Sequence, residues 1–180
     1  MSFFSQLQSR FHDFFLQKKM KKNKAERYSM SFAKAKRIGI LFDATNPDNA
    51  AIVNSYKESL KGKGKQVEVL AYINDKEDHD QSAYFKYFNK KQLTWSLEPK
   101  GGNVEQFINA PFDILLGLHI ESVQPLEYIA ALSKAHLRVG QYREGKEYCY
   151  DLIIDTPKDD SLKNFVGQVD YYIKNLNKEN

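Results

Sequence analysis

Short, nearly continuous apolar runs separated by stretches of helical periodicity constrain this 180-residue chain more than any other feature. Phe112-Asp113-Ile114-Leu115-Leu116-Gly117-Leu118 is the clearest run, and Ile38, Ile40, Leu41 and Phe42 form another, bounded by Asp43 and Asn46-Pro47. A strand with one wet face alternates apolar and polar residues, whereas a run without alternation is covered on both faces, as in a parallel sheet. Val67 to Ile73, Leu137 to Tyr142 and Leu152-Ile153-Ile154 read the same way. Between them lie helical patterns. Asn46 and Pro47 supply a capping side chain and a preset first dihedral, Ile52, Val53, Tyr56 and Leu60 follow at helical spacing, and Gly62 and Gly64 stop the helix. Gly101-Gly102 opens a short helix through Val104, Phe107 and Ile108. Another starts near Pro125 with Leu126, Ile129, Ala130 and Ser133 on one face, and Leu162 to Leu176 forms an amphipathic terminal helix. Tyr84, Phe85, Tyr87 and Phe88 are read as a short helix, and Leu93 to Leu97 as a short third strand. Strands alternating with helices specify a Rossmann-like, doubly wound α/β fold with a mainly parallel sheet of five to six strands over residues 37–180.

Residues 1–36 are different in kind: a basic amphipathic helical arm. The whole chain is only +4, with 27 Lys and Arg against 23 Asp and Glu. Residues 1–37, however, hold ten basic residues against Asp13 and Glu26, which makes that segment +8 and leaves residues 38–180 at −4. At roughly 100° per residue, Phe3, Phe4, Leu7, Phe11, Phe14 and Phe15 fall in an arc of about 120°, an amphipathic stripe. The polybasic run Lys18-Lys19-Met20-Lys21-Lys22 follows. Phe4, Phe11, Phe15, Lys18, Lys19, Lys21 and Lys22 are therefore candidate docking residues. Their target is the body of the protein itself, a second copy or protein partner, or an anionic membrane surface where the rings enter the headgroup boundary. Nucleic acid is the least favoured, because no aromatics interleave with the lysines and the body is acidic.

The single Cys149 offers no intramolecular disulfide and no sign of activation, which fits a reducing compartment. No stretch approaches the ~18 to 20 apolar residues of a membrane span. The order of aromatic and basic residues is not that of a secretory signal, so a cytoplasmic protein, peripheral to the inner membrane if the arm binds lipid, is expected. Asp75-Lys76-Glu77-Asp78-His79-Asp80 lacks the spacing of a calcium loop and reads as a solvated loop. No pattern calls for a metal or a cofactor.

In doubly wound sheets ligands bind outside the carboxyl ends of the strands, where the strand order reverses. With the order 3-2-1-4-5-6 this point lies between the first strand and the strand at 112–118. Loops 43–49 and 119–122 would face each other there. Asp43, Asp48 and His119 are the catalytic candidates, and Thr45, Asn46, Glu121 and Ser122 the ligand-binding ones. Loop 43–49 has no glycine, so neither a dinucleotide fingerprint nor a phosphate-cradling loop is present. Structural roles compete at each position: Asn46 as helix cap, Asp48 in a first turn, and His119 as a packed, hydrogen-bonded histidine, set against a ligand-binding or general-base role tuned by Glu121.

Two resemblances bear on these residues. Phe112-Asp-Ile-Leu-Leu, Pro125-Leu-Glu-Tyr-Ile-Ala-Ala-Leu-Ser-Lys-Ala, Arg138-Val-Gly and Tyr150-Asp-Leu-Ile-Ile resemble an uncharacterised family of small proteins from Bacteroidetes-type bacteria, over about residues 37–177. Residues 113–140 are more weakly similar to the N-terminal Rossmann-like half of heptosyltransferase-type glycosyltransferases. There an Asp after the first strand is implicated as the base that activates the acceptor hydroxyl. Asp48 is the similar position, with Pro47 in place of that family's Gly, and a counterpart of the half that binds the sugar nucleotide is not expected. The leading expectation is a binding module acting through its N-terminal helix. The alternative is a small-ligand binder or enzyme, glycosyltransferase-like and acting on an anionic sugar or nucleotide, that uses the 43–49 and 119–122 crevice.

Overall fold

The computed structural model describes residues 3–78, 85–157 and 161–176, the side chains of 3–6 excepted. Six strands, β1 (Arg37–Asp43), β2 (Gln66–Ile73), β3 (Lys86–Asn89), β4 (Ile114–Leu118), β5 (Leu137–Gln141) and β6 (Leu152–Ile154), form one sheet in the order β3-β2-β1-β4-β5-β6. Every neighbouring pair is parallel. This is the doubly wound order expected from the sequence, with β1 and β4 central.

The apolar runs explain the layers. Ile38, Ile40, Phe42, Val69, Ile114, Leu116 and Val139 project to one face and pack with α2 (Pro47–Gly62) and α5 (Leu162–Asn175). Leu41, Leu70, Phe88 and Leu115 project to the other and pack with α3 (Gly102–Asn109) and α4 (Gln124–Leu132). The Asn46 side chain accepts from the Asp48 amide and starts α2, as its position before Pro47 implies.

Two local expectations are corrected. The segment read as a short helix contains β3, because Tyr87 and Phe88 extend along β2 and Asn89 then caps a 3-10 turn; Tyr84 lies outside the described residues. Leu93 to Leu97 is not a strand. Leu93 makes only an isolated bridge to Pro99, the Thr94 hydroxyl accepts from the Glu98 amide, and Leu97 sits at φ 59°. The Thr94 hydroxyl here bonds the backbone locally, in competition with a ladder.

α4 is buried all round: every residue from Pro125 to Leu132 is buried, Glu127 and Tyr128 included. The sheet covers one side and α1 (Phe3–Lys22) lies across the other. Leu16 of α1 is fully buried in the α3/α4 core, and the side chains of Gln124 and Ser9 bond at 2.8 Å. The connection after α1 runs along the amino edge of the sheet, where Arg27 donates to the carbonyls of Ser133 and Ala135 and the Tyr28 amide donates to the His136 carbonyl. Nearby, Arg138 of β5 forms a two-pronged ion pair with Asp151 (2.8 and 3.0 Å) and also reaches the carbonyls of Ala130, Ala131 and Tyr148.

Tyr150 lies flat across the sheet over two strand glycines. A Cβ on Gly117 would stand 2.1 Å from its hydroxyl, and one on Gly140 2.4 Å from its ring. These glycines are thus the floor on which the ring rests. Gly140→Ala is expected to destabilise the protein by about 1–3 kcal/mol through overpacking. Gly167→Ala, in α5 with open space around the new methyl, is expected to stabilise by roughly 0.5–1 kcal/mol through helix propensity. Paired denaturant titrations of the two variants check both signs.

Candidate functional site

The carboxyl edge of β1 and β4 holds the loops that sequence reasoning placed together. Asp43 ends β1 and accepts from the Thr45 amide (2.9 Å) and the Thr45 hydroxyl, while its carbonyl accepts from Asn49. The Thr45 hydroxyl in turn accepts from the Asn74 amide at 3.0 Å, which ties the loop after β1 to the one after β2. Asn46 caps α2, and Asp48 is exposed in its first turn. The polar groups of this loop are largely engaged with one another.

His119 follows β4 and is buried. One ring nitrogen faces the Glu121 carbonyl at 2.8 Å and the other the Tyr150 hydroxyl at 3.0 Å. Nδ1 also lies 3.3 Å from Arg143 Nη2, which only donates, but the shorter contact is to a carbonyl, which only accepts, and this assigns the proton to Nδ1 and leaves Nε2 to accept from Tyr150. Burial, and secondly the Arg143 guanidinium, push His119 down to about 4, against the opposing pull of the Glu121 carbonyl, Glu127 and Asp43. The imidazole is therefore neutral near pH 7, and neither nitrogen is open to the crevice. The Glu121 side chain is exposed, and the Ser122 hydroxyl donates to Glu127 Oε1 at 2.7 Å.

Three residues that sequence reasoning passed over organise this edge. Arg143 donates to the carbonyls of His119 (2.9 Å) and Glu121 (2.8 Å) and to Gln141 Oε1, clasping loop 119–122. Glu127 stands 3.7 Å from Arg143 Nε and 3.8 Å from Lys146 Nζ. Tyr150 closes the underside. A lone acid in the apolar helix sequence Pro125 to Leu132, and two glycines inside strands, were the available signals. Cys149, beside this cluster, is fully buried, and burial pushes its thiol up to about 12. Among the described residues no group of three or more His, Cys, Asp or Glu side chains could hold a metal, and His79 and Asp80 of the acidic run lie outside them.

The second candidate surface is α1. The helix turns Gln8, His12, Leu16, Lys19 and Asn23 towards the body. Gln8 donates to the Trp95 carbonyl at 2.6 Å, and His12 bonds the Ser96 carbonyl at 2.9 Å. Lys19 bonds both Glu98 (2.7 Å) and the Tyr128 hydroxyl (2.6 Å), and Asn23, just past the helix, reaches the Leu132 carbonyl. Those bonds hold the Lys19 ammonium above its usual range against the effect of burial. The aromatic stripe points elsewhere: Phe11 is 41%, Phe14 63% and Phe15 37% exposed. Trp95, 57% exposed, joins them edge-on to Phe11 at 5.5 Å, and Phe11–Phe15 and Phe14–Phe15 contacts continue the row. At 100° per residue Lys18, Lys21 and Lys22 project to the same outward side as the rings, and all three are exposed. Of the candidate docking residues, then, Phe11, Phe15, Lys18, Lys21 and Lys22 face outward and Lys19 faces inward; the side chain of Phe4 lies outside the described residues. No helix of the described residues is long and apolar enough to cross a membrane.

The model of a family of unknown function, DUF6913, matches residues 8–176, through α1 and the α/β body alike. No curated protein and no solved structure matches the chain.

The buried His119 gives a pH signature. The unfolded chain takes up its proton near pH ~6.5 and the folded one near 4, so stability contributed by the neutral ring is complete above pH ~6.5 and is lost as pH falls towards 4. The loss should approach ~1.4 kcal/mol per pH unit and total roughly 3 kcal/mol. Denaturant titrations from pH 7 to 4 are expected to show a steeper decline for the natural protein than for His119→Gln. Equal slopes would mean that the ring titrates normally in the fold.

Proposed function

The chain belongs to the family of unknown function DUF6913, and we propose that it is a docking module which binds an anionic membrane surface through the outward face of α1. The observation that carries this reading is the arrangement of that helix. Its polar side is used to hold the body, while its aromatic side and three lysines remain outward together. A helix whose Phe side chains served only to pack the protein would turn them inward, as Leu16 is turned. Exposed aromatic rows of this kind mark interaction surfaces.

Chemistry favours lipid over the other occupants. Rings at the headgroup level contribute through the apolar area they bury, and each lysine near an anionic surface adds about 1 kcal/mol. A second copy would bring two +8 arms together, at a like-charge cost. The −4 body is repelled by an anionic surface, which favours an approach with α1 foremost. The crevice at the carboxyl edge has less to support it, because the His119, Ser122, Thr45 and Asn46 side chains are engaged within the fold.

Vesicle flotation tests the reading with the full chain. Binding to vesicles of phosphatidylcholine and phosphatidylglycerol should fall as salt is raised and be weak on phosphatidylcholine alone. Lys18→Gln, Lys21→Gln and Lys22→Gln together are expected to weaken binding on the order of 100-fold, about fivefold for each lysine, and leave thermal stability within error because all three side chains are exposed. Unchanged flotation of the triple variant, or equal binding to neutral vesicles, would remove the electrostatic docking proposed here.

A further inference from the structure

Resting on that reading, we infer that Trp95 is a second anchor for the same anionic lipid surface, and that α1 engages the surface in place on the body and does not peel away from it. The two segments are 84 positions apart between Phe11 and Trp95, yet they form one row of four exposed rings. The indole suits this position: its apolar body enters the interface while its N–H keeps a polar partner at headgroup level.

The turn that presents Trp95 is built to be rigid. Leu93 bridges to Pro99, and the Thr94 amide donates to the Glu98 carbonyl and the Leu97 amide to the Thr94 carbonyl, each at 3.0 Å. The Glu98 amide donates to the Thr94 hydroxyl at 3.0 Å, and Ser96 and Glu98 are buried beneath the indole's segment. Leu97 adopts a left-handed φ of 59°, a strained conformation for a γ-branched residue that persists because the surrounding bonds impose it. Of its three large apolar side chains, this turn keeps Leu93 and Leu97 half-buried. It holds Trp95 out.

The same turn is the clamp for α1. The carbonyls of Trp95 and Ser96 take Gln8 and His12, and the Glu98 carboxylate takes Lys19. These three bonds lie along three turns of the helix's inner side, so the outer side of α1 and Trp95 are fixed relative to each other before any lipid arrives. A surface assembled in advance loses less conformational entropy on binding than a helix that must first detach and refold in the interface. Detachment would also uncover α4, which is buried all round only beneath α1.

Trp95 is the only tryptophan in the chain, so its emission reports this site without labelling. On phosphatidylglycerol-containing vesicles its emission should shift to the blue, lose most of its quenching by aqueous acrylamide, and be quenched more by lipid brominated near the glycerol backbone than by lipid brominated near the chain end. Trp95→Ser should weaken flotation several-fold with thermal stability retained, and Trp95→Tyr should restore part of it. Hydrogen exchange of the α4 amides should be the same with and without vesicles. Flotation with unshifted, fully quenchable Trp95 would overturn the anchor and leave the lysine-dependent docking standing. Faster α4 exchange on vesicles would overturn docking in place. Absence of flotation removes the docking reading and this inference with it. A blue shift that grows with protein concentration in the absence of vesicles, with sedimentation at dimer mass, would assign the ridge to a second copy and overturn the lipid assignment.

Discussion

α4 has no face that tolerates water, and most of the architecture follows from covering it. A doubly wound sheet ordinarily needs one helical layer on each side, each helix keeping a polar stripe outward. Here Pro125-Leu-Glu-Tyr-Ile-Ala-Ala-Leu132 is apolar nearly all round, so the helix that packs on the sheet must itself be roofed. α1 is the roof. Because the side of α4 away from the sheet and the turn at 93–98 offer the Tyr128 hydroxyl, Gln124, Glu98 and several carbonyls, the roof meets them with Gln8, Ser9, His12, Lys19 and Asn23 around Leu16. The polar side of the helix is consumed in this way, and the aromatic side faces out. An inverted arrangement is what makes the outer surface of the molecule unusual.

The other face of the problem is the edge where β4 and β5 end. Tyr150 occupies space that Gly117 and Gly140 leave open, and its hydroxyl donates to His119 Nε2 while the Nδ1–H on the other side of the ring holds the Glu121 carbonyl. Arg143 clasps the same loop, and Glu127 stands behind it at distances of 3.7 and 3.8 Å from two cations. The result is a firm wall at the topological switch point. In many folds of this class that place is an open, phosphate-binding crevice; in this chain most of its polar groups bond one another, although Glu127 Oε2 and Arg143 Nε are buried without a hydrogen bond, and the exposed aromatic and basic groups lie on the outward side of α1.

Much of the fold was legible because parallel strands leave a strong trace: uninterrupted apolar runs at 38–42, 67–73 and 112–118, with caps and glycines between them. The Asn46 cap followed from those signals, and the strand order is the one supposed for the fold class, with its third strand at 86–89 in place of 93–97. β3 was misjudged because a four-residue strand packed on one neighbour carries too few residues to separate a period of 2 from one of 3.6. The turn at 93–97 was misjudged because its apolar residues, Leu93, Trp95 and Leu97, alternate as a strand does, although the Thr94 hydroxyl takes the Glu98 amide and closes the backbone into a turn. Arg143, Glu127 and Tyr150 escaped notice because they come from three separate segments and meet only when β4, β5 and α4 are assembled.

The sequence by itself determined the α/β class, the central strands, the separation of a +8 arm from a −4 body, and the stripe on which that arm places its phenylalanines. These are one-dimensional properties: periodicity and charge are carried by neighbours along the chain. Which side of the arm is covered was decided by tertiary structure, since it depends on what α4 and the 93–98 turn, remote in sequence, offer to it. An amphipathic pattern states that a helix has two unlike sides. It is the surface waiting for it that selects the one to bury, and here that surface was polar enough to take the polar side.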